Sequence, residues 1–421
     1  MAFQDIRKSQ KFLTPADIGF ILGAVILVAA LLALDIYLAR TLQGGEWLFL
    51  RWNSVRAFLF EKIEPYGSTI AQRVQSLVYG REAFLAEYPY ALNDPFYILL
   101  LYTPLAFFSD FAIAHGIWIL LSQAALVGIV VLSLKLSEWE PPRWLYAALI
   151  AFGLLNYFSV NSLLSGSPTI FLVLIYLSIV IALRSFSDEL AGALLFLVAY
   201  QWEVSALFFL FVIVFVFANR RWSVFAGFGM TLLVLAIVSF IVKSNWFLPY
   251  VQALRFDWGR GINYSFVITL SYLLPILKLS LGSWLTIGIV VSLLFEAIRP
   301  VNEHSVHITW VVFLSLAMNP IIGFAIFPSN QIVLLPAFVL IISLAWERWE
   351  KRHVVITALL LALVFSSFYG LYFQSLFASL RLYADLLKIL PPLLTTIGLY
   401  WMRWWAVRPP RIWADQLGTR K

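Results

Sequence analysis

About twelve stretches of this chain are apolar over the length a helix needs to cross a bilayer, roughly 17–25 residues. They fall near 17–38, 112–134, 144–163, 168–184, 189–202, 204–218, 222–242, 282–298, 306–323, 331–346, 354–373 and 391–406. In hydrocarbon every backbone N–H and C=O must be bonded internally, which leaves helices or closed barrels, and continuous apolar runs of this length fit helices. Only 12% of the 421 residues are charged, about half the share a soluble domain carries, and mean hydropathy is +0.89. The expected fold is an all-α polytopic membrane protein of about 12 transmembrane helices, forming a single membrane domain over 1–421. The first apolar run, Ile18–Leu34, is long for a cleaved leader and reads as a retained helix.

Charge orients the bundle. Arg7, Lys8 and Lys11 precede the first helix, which places the N-terminus in the cytoplasm. The segment 95–108, short and interrupted by Pro95 and Pro104, decides every later loop. If it does not cross, Lys135, Arg143, Arg184, Arg220, Arg221, Arg299, Arg348, Lys351, Arg352 and the basic tail all fall inside. Segments 95–108 and 264–277 therefore read as helices lying in or dipping into the outer interface, and both termini as cytoplasmic. Three features then share the outer face: the long polar loop 40–111, the turn 164–168, and the segment 243–281. The net charge of +7 sits in short loops without aromatic interleaving, so it points to membrane orientation rather than nucleic acid. The chain has no cysteine, which excludes thiolate-held metals and disulfides, and no metal site or cofactor is expected. It also carries no G-x-x-x-x-G-K-[ST] loop, H-E-x-x-H or G-x-S-x-G.

The outer face holds most of the candidate chemistry. Glu46 follows Gly44-Gly45 and opens a segment, Glu46–Ile63, with the pattern of an amphipathic surface helix. It reads either as a helix N-terminal charge favoured by the dipole or as a general base raised by partial burial. Asp94, before Pro95, is either a helix cap or a second acid near Glu46. Lys243, Arg255 and Arg260 are outside cations near Trp residues. They suit non-specific headgroup contact or a clamp on a lipid-linked phosphate. Gln201 and Glu203 lie at a tight turn between two apolar helices, facing either a water-filled cavity or plain water. His304 and His307 share a loop without further ligands, His115 and His353 sit alone near helix ends, and Asp35 is expected to reach the interface.

Several stretches carry a resemblance. Gly45-Glu46-Trp47, Arg56-Ala57-Phe58-Leu59-Phe60 and Glu64-Pro65-Tyr66 come first. Phe96-Tyr97 with Tyr102-Thr103-Pro104-Leu105 and Ile117-Trp118 follow, then Ser165-Gly166-Ser167-Pro168-Thr169, Ala191-Gly192 and Arg220-Arg221-Trp222. In order and spacing they resemble the integral-membrane glycosyltransferases of the C-type fold. Most narrowly the chain is similar to glycosyltransferase family 87, the polyprenyl-phosphate-mannose-dependent α-mannosyltransferases. The likeness runs to about residue 345. It departs from the family in three places: Glu46 stands for an Asp, the turn at Ser165–Thr169 lacks the family's amides, and Glu203 stands where a Lys is common.

The resemblance implies a transferase moving a mannose-like hexose or a pentose from a polyprenyl-phosphate donor to a lipid-linked or glycan acceptor. It would work by an inverting general-base mechanism at the outer face of the cytoplasmic membrane. Glu46 would be the base, with Asp94 as alternate or orienting acid. Arg255, Arg260, Lys243 and Arg51 would hold the donor phosphate, and Ser165, Ser167, Gln201, Glu203 and Asp257 would line the substrate pocket. The competing expectations are a non-catalytic lipid-linked-glycan transporter or flippase, which needs a polar path through the bundle, and a diverged relative that only binds lipid.

Overall fold

The computed structural model describes residues 15–84, 87–261, 278–298, 305–322, 327–349, 351–375 and 390–403. Among these residues every regular element is helical. Five helices are long and apolar enough to cross a membrane: Ile21–Thr41 of α1 (Pro15–Thr41), α6 (Phe111–Leu136), α11 (Trp202–Asn219), α12 (Ser223–Val242) and Pro328–Arg348, which ends in the helix Leu335–Arg348. The pair α7 (Arg143–Leu155) and α8 (Tyr157–Ser165) makes a sixth if taken as one span bent by 46°. Shorter apolar helices lie at four of the other six predicted positions, at Thr169–Arg184 (α9), Thr286–Ile298, His307–Ile321 and His353–Val364, so twelve full spans are not seen among the described residues. The expected interface helix at 264–277 lies outside the described residues.

Where sequence and structure part, single residues explain it. The run 144–163 was expected as one helix, but Asn156 sits in extended backbone and divides it. Its side-chain Oδ1 accepts from the N–H of Ser159 (3.0 Å), while Nδ2 donates to the carbonyl of Phe152 (2.9 Å). One amide thus ends α7 and caps α8. Nearby, α10 (Asp188–Val198) and α12 touch backbone to backbone, because Gly192 faces Val224 O and Gly227 faces Glu189 O. Small residues allow that approach without side chains in between.

The first loop is not a set of surface helices. The expected amphipathic helix 46–63 is an α-helix only over Glu46–Arg56 (α2) and then opens into a π-turn, Ala57–Glu61. Leu48, Leu50, Arg51, Trp52, Asn53, Ser54 and Val55 are all buried. Covering them are α3 (Ser68–Tyr79), the segment around Tyr88–Leu92, and the short helices α4 (Phe96–Leu100) and α5 (Thr103–Ala106). The loop therefore has its own apolar core, which includes Ile70, Val74, Phe96, Leu99 and Trp246. Phe171 and Tyr200 pack against both this core and that of the bundle, and so join the two.

The two ends of the bundle differ in charge chemistry. At one end Arg184 pairs with Glu138 and donates to Leu136 O, and Arg221 pairs with Asp188. At the opposite end of the same helices the first loop, the 164–168 turn, the α10–α11 turn and residues 327–330 converge. The first loop, the 164–168 turn and the turn carrying Gln201 and Glu203 were expected to share a face; residues 327–330 join them without having been expected.

Candidate functional site

Two glycine turns dock the first loop on the bundle. Gly45 is left-handed (φ 81°) and starts α2, and its N–H donates to Leu164 O at 2.7 Å. Opposite it, Gly166 ends α8 with φ 68°. A Cβ at Gly166 would stand 2.6 Å from that of Leu48, which is fully buried. The contact sets the height of α2 over the bundle and turns Trp47 and Arg51, one helical turn apart, toward the same cleft.

That cleft is lined by Arg51, Asp94, Ser167, Gln201, Glu203 and Asn330, with Trp47, Tyr88, Trp202 and Phe327 as aromatic walls. Its free interior is about 30 Å³, room for roughly one water, so any larger guest must displace side chains. The floor is a buried ion pair. Arg51 Nε stands 2.6 Å from Asp94 Oδ2, both side chains being almost fully buried. Arg51 Nη2 donates to Asp94 Oδ1 at 3.1 Å, and Nη1 donates to Trp47 O at 2.9 Å. Burial penalises the Arg51 cation, but the Asp94 carboxylate beside it holds its pKa above the ordinary value. Burial pushes the phenols of Tyr102 and Tyr200 up, so both stay neutral.

The remaining wall is a chain of hydroxyls and amides. Ser167 Oγ donates to Thr169 Oγ1, which donates to Asn330 Oδ1, each at 3.0 Å. Beneath Glu203, the amide of Asn319 brackets one step of the α11 ladder. Its Oδ1 accepts from the N–H of Leu207 (3.0 Å), and its Nδ2 donates to Glu203 O. A cleft of aromatic faces, amides and carboxylates, whose cation is already neutralised, suits an uncharged polyhydroxyl guest better than a phosphate.

The expected residues separate into groups. Arg51, Asp94, Ser167, Gln201 and Glu203 come together in the cleft. Asp94 is not a helix cap, because Pro95 holds that place and its carboxylate is engaged by Arg51 instead. Ser165 is buried beside the cleft and turned back to Ser162 O. Lys243 is paired with Glu64 at 2.7 Å, and Arg51 with Asp94, so two of the four expected phosphate cations already have carboxylate partners. Arg255 is exposed on α13 (Phe247–Gly261). The side chains of Arg260 and Asp257 lie outside the described residues.

Glu46 is half-buried in the first turn of α2 and does not line the cleft. Burial pushes its carboxyl up to about 7, against a small opposing pull from its own backbone N–H. Asp35 does not reach the interface; it is 1% exposed. Among the described residues no group of three His, Asp or Glu side chains is placed to hold a metal ion.

Sequence reasoning missed Phe327, Asn330 and Asn319. The signal was present as Phe327-Pro328-Ser329-Asn330-Gln331, a polar break between two apolar runs on the face already holding the other candidates. No family model matches this chain, and neither any curated protein nor any solved structure does.

Proposed function

We propose that the protein is a C-type-fold membrane glycosyltransferase, akin to glycosyltransferase family 87. It would move a sugar from a polyprenyl-phosphate donor to a lipid-linked or glycan acceptor. The observation that carries this reading is the cleft under the first loop, where aromatic walls meet Asp94, Glu203, Gln201 and Asn330 at one end of an apolar bundle. About twelve spans and cytoplasmic termini complete the proposal, with the cleft facing away from the cytosol, because the basic loops gather at the other end.

In this reading the sugar enters the cleft by displacing Trp202 and Phe327 and stacks on Trp47. The acceptor hydroxyl attacks the anomeric carbon, a new C–O bond forms, and the bond to the lipid phosphate breaks. Glu46 lies outside the cleft, one residue before Trp47, and would take the proton of an acceptor that approaches from that side; a carboxyl with pKa near 7 suits a general base at neutral pH. Asp94, held by Arg51, is a positioning residue, and Arg255 and Arg260 are the candidate cations for the leaving phosphate. Glu203 lines the cleft and is the competing base.

The test incubates membranes containing the protein with labelled polyprenyl-phosphate mannose and related hexose and pentose donors. Label should move to a lipid or glycan fraction, and Glu46→Gln should abolish transfer at unchanged expression. Transfer within a few-fold of wild type in Glu46→Gln, with loss in Glu203→Gln, would move the base to Glu203. No transfer from any donor would overturn the proposal.

A further inference from the structure

Away from the cleft, a second cavity of about 550 Å³ opens between α1, α6 and the bent pair α7–α8. Its walls are apolar, formed by Val28, Leu31, Val127, Leu154, Val160 and Leu163 among others, with two polar exceptions, Asp35 and Gln123. Gln123 Nε2 donates to Asp35 Oδ1 at 2.9 Å. The other carboxylate oxygen, Oδ2, is buried and has no hydrogen-bond partner. A carboxyl group inside a membrane helix is costly and normally marks a functional contact, and an unpaired buried polar atom costs free energy that a ligand could recover.

We infer that this cavity is a lipid site whose occupant presents a neutral hydroxyl to Asp35 Oδ2, that is, a long-chain or isoprenoid alcohol. Three features select that chemistry. The size is in the range of small-molecule sites, roughly 300–1,000 Å³, and the cavity is open on one side, so a guest can enter it. Asp35 lies five residues below Arg40, which pairs with Asp110 at 2.8 Å. At 1.5 Å rise per residue it stands about 7–8 Å beneath that charged pair, too deep for a hydrated headgroup and suited to a lone hydroxyl. From there the apolar wall continues to Val28, about 10 Å further down α1, so the alkyl body runs along the helix toward the bilayer centre. The inference is independent of the transferase reading, since none of these residues lines the cleft.

The probe is a matched pair, a diazirine-bearing hexadecanol and its methyl ether, photolysed against the full-length protein in phosphatidylcholine bilayers and mapped by mass spectrometry. The alcohol should label residues of α1 and α6 between Leu31 and Val127. Unlabelled hexadecanol should compete about tenfold or more better than hexadecyl methyl ether, the scale of one hydrogen bond to an ionisable group. Asp35→Leu should erase that preference while leaving labelling by the ether. Ala124→Phe, which keeps Asp35 and fills the cavity, should lose both labels, and it carries the test if Asp35→Leu does not fold. Equal competition by alcohol and ether in the wild type, persistence of the preference in Asp35→Leu, or undiminished labelling in Ala124→Phe would each overturn the inference.

Discussion

The Arg51–Asp94 pair offers a sharp physical test, because its two side chains are only 5% and 3% exposed. Replacing Asp94 by Leu removes both the charge and the acceptor oxygens, leaving the guanidinium buried with Trp47 O as its remaining hydrogen-bond acceptor. Stranding one member of a buried pair costs about 3–5 kcal/mol, and Arg51→Met strands the carboxylate at a similar cost. The double variant Arg51→Met/Asp94→Leu strands neither and should return most of the loss, since apolar replacements of whole pairs are often neutral. Seventeen tryptophans, with Trp47 and Trp52 on the same helix, make intrinsic fluorescence a suitable readout in a fixed detergent. If the pair is already broken in the unfolding transition state, each single variant should unfold faster by roughly two to four powers of ten, at 1.36 kcal/mol per decade. The double variant should lie near wild type. Singles within threefold of wild type, or a double as fast as the singles, would refute the claim that the pair is desolvated and interdependent.

Glu46 has a folded-state carboxyl near 7 against an ordinary value of 4.5, so activity should rise with pH through an apparent pKa near 7. The linked stability effect runs the other way. Because the folded state binds the proton more tightly, stability falls between about pH 4.5 and 7 and is flat above. Glu46→Gln should therefore be inactive yet more stable than wild type above pH 7, and thermal unfolding at pH 5 and 8 checks the sign. Gly166→Ala should destabilise by about 1–2 kcal/mol for its left-handed backbone alone. It should also lower activity by lifting Leu48 and α2, which melting temperature and transfer rate report together. Asn319→Leu removes the bracket on Leu207 and Glu203, at a cost of about 1–3 kcal/mol, and should weaken sugar-donor KM if Glu203 is displaced with its backbone. Arg255→Ala and Arg260→Ala should weaken donor binding, read as a raised KM with kcat nearly unchanged; unaltered values in both would place the phosphate elsewhere.

What the sequence alone determined is the solvent of this protein and the order of its parts. Runs of apolar residues longer than any soluble core requires leave only helices in lipid, and Arg and Lys at alternate loops distinguish the two ends without any contact being known. The predicted runs correspond to helices because backbone satisfaction in hydrocarbon is local, closed within four residues. What only the tertiary structure decided is everything that depends on pairs far apart in the chain. Asp94 read as a cap from its neighbour Pro95, yet Arg51, 43 residues earlier, engages its carboxylate. Asp35 read as interfacial from its distance to the helix end, yet Gln123 and the α6 surface bury it. The first loop read as surface helices because its moment is amphipathic, yet α3 and the 88–106 segment cover its other face. Periodicity reports that a face is apolar. Whether lipid or protein covers it is settled by the long-range packing that brings Gly166 to Leu48.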